Sequence, residues 1–216
     1  SALEITGNGL KRLKTVSTGG SRVTHAAIAP SGKFLVTADY QHGSVTVFPI
    51  DAEGMPGQRV HQVAHGPGAG SHPRQETAHP HYVAFSPGGN WVIVPDLGAN
   101  ALFVYPVLED PPFLGEAREW ANVPNAGPRH MKFSPDGRFA WVLNELDLTV
   151  TTFHWDEESG ILERHARANA LPKELAAGEI VNTASEIQVH PSGNFLSTGN
   201  RGNDSVSDVT INPADG

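Results

Sequence analysis

Four polar residues suited to binding and reacting with an anion stand at repeated distances from turns in the chain. His81 and Arg129 each lie six residues before the proline of a Pro-x-Gly turn, and Glu145 and Arg201 each lie ten residues after one. A guanidinium group binds a carboxylate or phosphate through two parallel hydrogen bonds. Glutamate and histidine exchange protons, and the usual histidine pKa of about 6.5 suits His81 to do so near neutral pH. The set predicts a site for a small anionic ligand with proton-transfer groups beside it.

His130 and Glu186 are secondary candidates for substrate binding. His130 comes directly after Arg129, and His25 stands at the same place in an earlier repeat. Because side chains alternate between the two faces of a regular strand, His130 and His25 are expected to face away from Arg129. Glu186 is expected to pair with an arginine across the site.

The four main candidates also have structural interpretations, which the sequence leaves open. The two arginines suit ion pairs with Glu145, Glu186 or Asp96. Glu145 suits the capping of a turn, and His81 suits a hydrogen bond at the edge of a sheet. Structural and functional roles are compatible here, because an arginine that binds substrate is often held in place by a carboxylate.

Histidine-rich sequence raises the question of a metal, because histidine is a common zinc ligand. Four histidines lie within a short stretch: His65, His72, His79 and His81. The intervening residues 66–77 are rich in glycine and proline and lack the helical spacing that presets a site. The chain has no cysteine, which excludes a thiolate zinc site and a disulfide framework. We expect no metal site.

A repeat explains why the candidates share their spacing. Four segments align without gaps around Pro30, Pro87, Pro135 and Pro191, each with an apolar strand before the turn and a second strand after it. A third strand begins fourteen residues after each proline, and a weaker fourth strand follows in three of the segments. Self-similarity at this period with four strands per unit predicts an all-β fold, a β-propeller of four-stranded blades. The start of one strand and the end of the next share one edge of a blade, so the four candidates are predicted to converge there.

The strand pattern divides the single propeller domain into blades. Residues 1–16 predict the outer two strands of one blade, and residues 180–216 predict a blade that stops after its third strand. Three complete blades are expected over residues of about 22–65, 79–123 and 127–171. We expect an incomplete portion of a seven-bladed propeller, with the natural N-terminus missing; the alternative is a five-bladed ring that residues 1–16 close. One helical turn is expected within Pro172–Gly178.

The composition of the chain limits the classes of partner that we expect it to bind. The chain has 216 residues, with 15 Lys+Arg against 23 Asp+Glu for a formal charge of −8, and no basic run. Nucleic-acid binding usually requires a basic excess, so we expect no nucleic-acid partner. No stretch approaches the ~18 consecutive apolar residues of a membrane span, so we expect no membrane association and a cytoplasmic location. Asp156-Glu157-Glu158 is expected to be a solvated turn.

Six short phrases carry a family resemblance along essentially the whole chain: His79-Pro80-His81, Pro95-Asp96-Leu97-Gly98, Gly127-Pro128-Arg129-His130, Asn144-Glu145-Leu146, Ala184-Ser185-Glu186-Ile187 and Asn200-Arg201-Gly202. In this order and at equivalent places in their blades, they resemble the seven-bladed lactonase family that contains 6-phosphogluconolactonase and carboxymuconate cyclase. The resemblance implies catalytic residues around the central channel at His81, Arg129, Glu145 and Arg201. It also implies that about two blades are absent from this sequence. One departure is Asn203, where the family often has histidine.

The family resemblance implies chemistry on a lactone ring without a redox cofactor. In a hydrolase, Glu145 or His81 would activate water, while one arginine stabilises the oxyanion and the other holds the substrate phosphate. In a carboxymuconate cycloisomerase, Arg129 and Arg201 would hold the carboxylates of a muconate. We favour the hydrolase acting on a sugar phosphate lactone. A non-catalytic binding propeller is the alternative from another class, and the oligomeric state stays open.

Overall fold

The computed structural model describes residues 1–176, 181–212, 214 and 216, and these residues form seventeen strands with very little helix. The first two strands, β1 (Ala2–Thr6) and β2 (Gly9–Lys14), pair as a hairpin. The first four-stranded sheet contains β3 (Val23–Ile28), β4 (Phe34–Asp39), β5 (Ser44–Pro49) and β6 (His61–Ala64). A 3-10 helix, Pro73–Gln75, interrupts the loop that leads to the next sheet.

Two more four-stranded sheets and one three-stranded sheet follow. The second four-stranded sheet contains β7 (Ala84–Phe85), β8 (Trp91–Asp96), β9 (Ala101–Pro106) and β10 (Arg118–Ala121). The third contains β11 (Pro128–Phe133), β12 (Phe139–Asn144), β13 (Thr149–Asp156) and β14 (Ile161–Asn169). After the short helix α1 (Lys173–Ala176), β15 (Thr183–Val189), β16 (Phe195–Arg201) and β17 (Ser205–Thr210) form the three-stranded sheet.

Within every sheet the strands are antiparallel and follow the order of the chain. Successive sheets lie side by side, since β11 of the third four-stranded sheet contacts β8 of the second and β15 of the three-stranded sheet. The predicted propeller of four-stranded blades is therefore confirmed. The blade boundaries stay a prediction, and residues 180, 213 and 215 of the last predicted blade lie outside the described residues.

The middle strands of the blades are apolar because both of their faces are covered. In β8, the side chains of Val92, Ile93 and Val94 are fully buried, and β12 buries Trp141 and Leu143 in the same way. A strand packed on both faces reads as a continuous apolar run, whereas a strand with one wet face alternates. The apolar second strands of the repeat therefore mark the interior of the propeller.

The recurring Pro-x-Gly turn has a backbone requirement. Gly32 and Gly137, at equivalent positions in the first and third four-stranded sheets, have φ values of +72° and +73°. This left-handed region favours glycine, because a side chain there meets its own backbone. The turn returns the chain in register from the first strand of each blade to the second. The spacing of polar residues on either side of the turn is preserved as a result.

A polar joint recurs between neighbouring blades. In the three later blades, the residue nine positions after the turn proline contacts the residue that follows the outer strand of the preceding blade. The pairs are His65–Asp96 (2.6 Å), Asn122–Asn144 (2.7 Å) and Ala170–Asn200 (3.3 Å). Asp96 is completely buried and also accepts hydrogen bonds from the backbone N–H groups of His79 and Ala99. These joints hold successive blades at a defined offset.

The Asp156-Glu157-Glu158 turn is not simply solvated, which corrects the expectation from sequence. Glu157 Oε1 accepts a 2.8 Å hydrogen bond from Ser86, and its backbone oxygen accepts one of 2.8 Å from the Trp91 indole. Both partners lie in the preceding blade. The expected turn of helix is α1, while residues 177 and 178 of that prediction lie outside the described residues. No helix in the described part of the chain is long and apolar enough to cross a membrane.

Asp96→Asn is expected to lower the free energy of unfolding by about 2–3 kcal/mol, because the amide nitrogen would face Nδ1 of the buried His65 and the charge-assisted contacts of the carboxylate would be lost. Urea denaturation at constant pH measures the change. The matched control is Asp136→Asn, whose side chain is 50% exposed beside Arg138 and should change stability by about 0–1 kcal/mol. Equal losses for the two variants would contradict a special role for the joint.

Candidate functional site

A polar cavity of ≈ 450 Å³ opens at the edge of the blades where the first strand begins and the second ends. Its volume is within the range of small-molecule sites. Nine residues line it: Arg22, Thr24, Tyr40, Arg74, His81, Arg129, His130, Glu145 and Arg201. The structure thus brings together the four main candidates from the sequence. Their catalytic roles stay a prediction.

Repeat register accounts for most of the lining. The position six residues before the turn proline supplies Thr24, His81 and Arg129 from three successive blades. The position ten residues after it supplies Tyr40, Glu145 and Arg201. Because each position lies at the same edge of its blade, equivalent residues point into one cavity.

Glu145 is the centre of the cavity's charge network. Its side chain is 1% exposed, and it accepts hydrogen bonds from three guanidinium groups. Oε1 accepts from Arg74 Nη1 at 2.7 Å and from Arg201 Nη2 at 2.6 Å, while Oε2 accepts from Arg129 Nε at 2.9 Å. Both carboxylate oxygens are therefore occupied. The ion-pair interpretation that the sequence left open for Glu145 is present in the structure.

Arg129 connects this network to the side chains of His130 and Glu186. Its Nη1 donates to the backbone oxygen of Ser185 and to His130 Nε2. A guanidinium group has no acceptor, so His130 must accept at Nε2 and carry its proton on Nδ1. That Nδ1 lies 3.0 Å from Glu186 Oε2. Burial, the largest influence, lowers the pKa of His130 despite the hydrogen bond to Glu186, and this agrees with a neutral imidazole.

The expectation that His130 faces away from Arg129 is wrong, because the first strand contains a β-bulge. Pro128 pairs with Asn144 and His130 pairs with Leu143, which leaves Arg129 as an extra residue. A bulge re-aims the side chains around it. His130 consequently lines the cavity beside Arg129. The same shift recurs in β3 and β15.

His25 and Glu186 lie next to the cavity rather than in its lining. His25 Nδ1 accepts a 3.2 Å hydrogen bond from the backbone of Val83, and its ring lies 3.9 Å from that of Tyr82. Glu186 contacts His130, with 44% of its side chain exposed, and does not reach the guanidinium groups. The expected pairing of Glu186 with an arginine across the site is wrong, because the histidine of the bulge stands between them.

His81 is held as a neutral imidazole. Burial first, and then the charge of Arg129 and the nearby His130 ring, lower its pKa to about 2. The expectation that His81 titrates near neutral pH is therefore wrong. Its Nδ1 is buried and has no hydrogen-bond partner among the described residues. A neutral imidazole keeps one ring nitrogen without a proton, and that nitrogen can accept a proton or a hydrogen bond.

Four lining residues were missed by sequence reasoning. Tyr40 and Thr24 occupy the same repeat positions as the predicted residues, so the register contained the signal for both. Arg22 and Arg74 stand outside those positions, and Arg74 lies on a loop that has no repeat. Tyr40 supports Arg74, since its hydroxyl accepts from Arg74 Nε at 3.2 Å. Its ring stacks on His79 with centroids 4.2 Å apart.

The lining has a large excess of positive charge. It contains four arginines and one carboxylate, which with neutral histidines is 4 − 1 = +3, in a chain whose formal charge is −8. Like charges gathered in one cavity raise the local concentration of oppositely charged ligands. The arrangement therefore suits a small anion that carries more than one negative charge.

The histidines considered as metal ligands have other contacts. His65 bonds Asp96, His79 Nδ1 lies 2.8 Å from the backbone oxygen of Tyr40, and His72 accepts from the backbone N–H of Arg74. Across the described residues, no group of three His, Asp or Glu side chains is arranged to hold a metal ion.

Known proteins are similar to this chain in fold and in sequence. Residues 1–216 match a family model described as lactonase, 7-bladed beta-propeller. The 6-phosphogluconolactonase of Bacillus subtilis (strain 168) is 32% identical over 197 residues, which are 91% of this chain and 55% of that protein. The 6-phosphogluconolactonase of Pectobacterium atrosepticum is 32% identical over 178 residues, which are 80% of this chain and 48% of that protein. The chain therefore spans about half the length of these curated relatives.

A solved structure of a lactonase also matches this chain. The periplasmic gluconolactonase of Pseudomonas aeruginosa has a TM-score of 0.88 and 32% sequence identity to this chain. The match covers 95% of this chain and 57% of that one.

Protonation of His81 is expected to make stability depend on pH between 7 and 5. Below pH about 6.5 the unfolded chain takes up a proton that the folded His81 refuses until about pH 2, so stability falls as the pH falls. Wild type should lose about 1–2 kcal/mol more than His81→Gln between these pH values. Urea denaturation of both proteins across this range measures the difference. Parallel curves would show that His81 is not held neutral.

Proposed function

The chain belongs to the seven-bladed β-propeller lactonase family, as the resemblance predicted, and on that premise we propose that its cavity binds a small anionic lactone and hydrolyses the ring. The observation that carries this proposal is the triple guanidinium contact to buried Glu145, beside the unpartnered nitrogen of His81. The guanidinium groups suit a polyanionic ligand, and the His81 imidazole supplies a base.

His81 is the preferred general base. Water attacks the lactone carbonyl, and the unprotonated ring nitrogen of His81 takes the proton that the water gives up. The carbon–oxygen bond of the ring then breaks, and the leaving ring oxygen takes that proton back from His81. Glu145 was the other candidate, but its two oxygens already accept from three guanidinium groups. A low pKa makes His81 a weak base, and the charge of a bound anion would raise it toward the useful range.

Arg129 is the proposed stabiliser of the oxyanion that forms on the carbonyl. Three of its hydrogen bonds, to Glu145, His130 and Ser185, hold the guanidinium in one orientation. Its Nη2 has no partner among the described residues and remains available to a ligand. A donor fixed in advance stabilises developing charge without reorganisation, which is the usual source of a large rate effect.

A phosphorylated sugar lactone is the proposed substrate, with 6-phosphogluconolactone as the specific case. A phosphate group with close to two negative charges matches the surplus positive charge of the lining, and Arg201 is assigned to hold it. The names of the Bacillus and Pectobacterium relatives support the same substrate. A cytoplasmic location stays a prediction, and the solved relative from Pseudomonas is described as periplasmic.

His81→Gln is expected to lower kcat on 6-phosphogluconolactone by about 10²- to 10⁴-fold, because a general base is lost, while binding of the product 6-phosphogluconate changes little. Turnover is measured by acid release in weak buffer and binding by calorimetry. The matched control is His190→Gln, an exposed histidine at the turn of the last blade, which should behave as wild type. Arg129→Lys should fail to restore full activity, because a point charge lacks the planar fork.

Three results would reject the proposal. If His81→Gln turned over the lactone like wild type, His81 would not be the base. If wild type cyclised 3-carboxymuconate and left the sugar lactone intact, the cycloisomerase alternative would hold. If wild type acted on neither substrate, a non-catalytic binding role would be the better description.

A further inference from the structure

Arg74 differs from the other arginines around Glu145 in where it comes from. Arg129 and Arg201 lie on blade strands at repeat positions, whereas Arg74 lies in the 3-10 helix of the loop between the first two four-stranded sheets. The position of Arg74 has no equivalent in the repeat, so the repeat does not predict an arginine in this loop. The loop nevertheless carries the guanidinium to the same carboxylate oxygen that Arg201 uses.

The loop is anchored on both sides of Arg74, so this reach is built into the fold. The next residue, Gln75, is 1% exposed, and its Nε2 donates to the backbone oxygen of Leu97 at 2.9 Å. On the other side, Ser71 donates its backbone N–H to Asn125 Oδ1 at 3.2 Å. A side chain at Gly68 would place its Cβ 1.9 Å from the backbone oxygen of Gln75, so the loop packs tightly on itself.

The guanidinium of Arg74 is fixed at two nitrogens and open at the third. Nε donates to Tyr40 at 3.2 Å and Nη1 to Glu145 at 2.7 Å, while Nη2 has no partner among the described residues. Of the three arginines, Arg74 and Arg201 have side chains 37% and 49% exposed, against 14% for Arg129. The two more accessible groups therefore lie together on one carboxylate oxygen, and the least accessible one lies beside the histidines.

We infer that Arg74 is a specificity-determining residue that, together with Arg201, binds an anionic substituent of the substrate remote from its lactone carbonyl. This inference rests on the proposed lactonase function. It divides the cavity into two parts. Arg129 serves the reacting carbonyl near His81, and the Arg74–Arg201 pair takes the charged substituent. A phosphate fits this pair, since its oxygens can accept from both guanidinium groups at once.

Arg74→Ala is expected to raise KM for the phosphorylated lactone by about 10- to 100-fold with kcat little changed, because one charge-assisted contact to the substituent is lost. For the same lactone without phosphate, neither KM nor kcat should change appreciably. Arg129→Ala should instead lower kcat on both lactones. Arg138→Ala is the control. This arginine lies in the turn between β11 and β12, at the end of these strands away from the cavity, and pairs with Asp136. A merely structural role for Arg74 would impair both substrates alike.

Product binding separates this inference from the proposed function. Calorimetry with 6-phosphogluconate and with gluconate needs no turnover, and Arg74→Ala should weaken the first by a similar 10- to 100-fold, on the order of 1.4–2.8 kcal/mol, and leave the second unchanged. Arg74→Lys, which retains a charge on the loop, should recover part of the loss. Equal effects on the two ligands, or none on either, would overturn the inference. If phosphate-selective binding depended on Arg74 but no lactone were hydrolysed, the inference would stand and the lactonase proposal would fail.

Discussion

The cavity depends on one buried carboxylate that is shared by three guanidinium groups. Glu145 could not remain buried and charged without partners, and the three arginines would repel one another without it. Because they come from a loop and from two blades, the contact joins parts of the chain far apart in sequence. The contact also leaves an excess of positive charge, since one carboxylate cannot neutralise three guanidinium groups. The cavity where the blades meet therefore attracts anions.

The same charges control the histidines. His81 and His130 are buried among guanidinium groups, and both influences disfavour the imidazolium form. The site therefore presents cationic donors beside neutral imidazoles, which is the combination that the proposed hydrolysis uses. An anionic substrate would alter this balance, because its charge offsets that of the arginines and makes protonation of His81 easier. Substrate binding and base strength are coupled in this arrangement.

The remaining fold serves to keep these groups in position. Polar joints such as His65–Asp96 set the offset between successive blades, and Glu157 bridges the second and third four-stranded sheets from the outer side. The bulge at Arg129 brings two consecutive side chains to the cavity, where a regular strand would supply one. The loop carrying Arg74 is anchored through Gln75 to Leu97, directly after β8 of the second four-stranded sheet. Catalytic groups need placement to a fraction of an ångström, and rigid strands with anchored loops provide it.

By itself the sequence determined the propeller, its strands and the meeting of His81, Arg129, Glu145 and Arg201. All of these follow from periodic spacing, because equivalent positions in a repeated blade must lie at the same edge. Tyr40 and Thr24 were accessible by the same reasoning, since they occupy those positions. Only the tertiary structure decided that His130 faces the cavity, because a bulge adds a residue without a distinct sequence signal. It alone also placed Arg74 on Glu145 and set the low pKa of His81, because loop paths and electrostatic influence depend on distances across blades rather than on spacing along the chain.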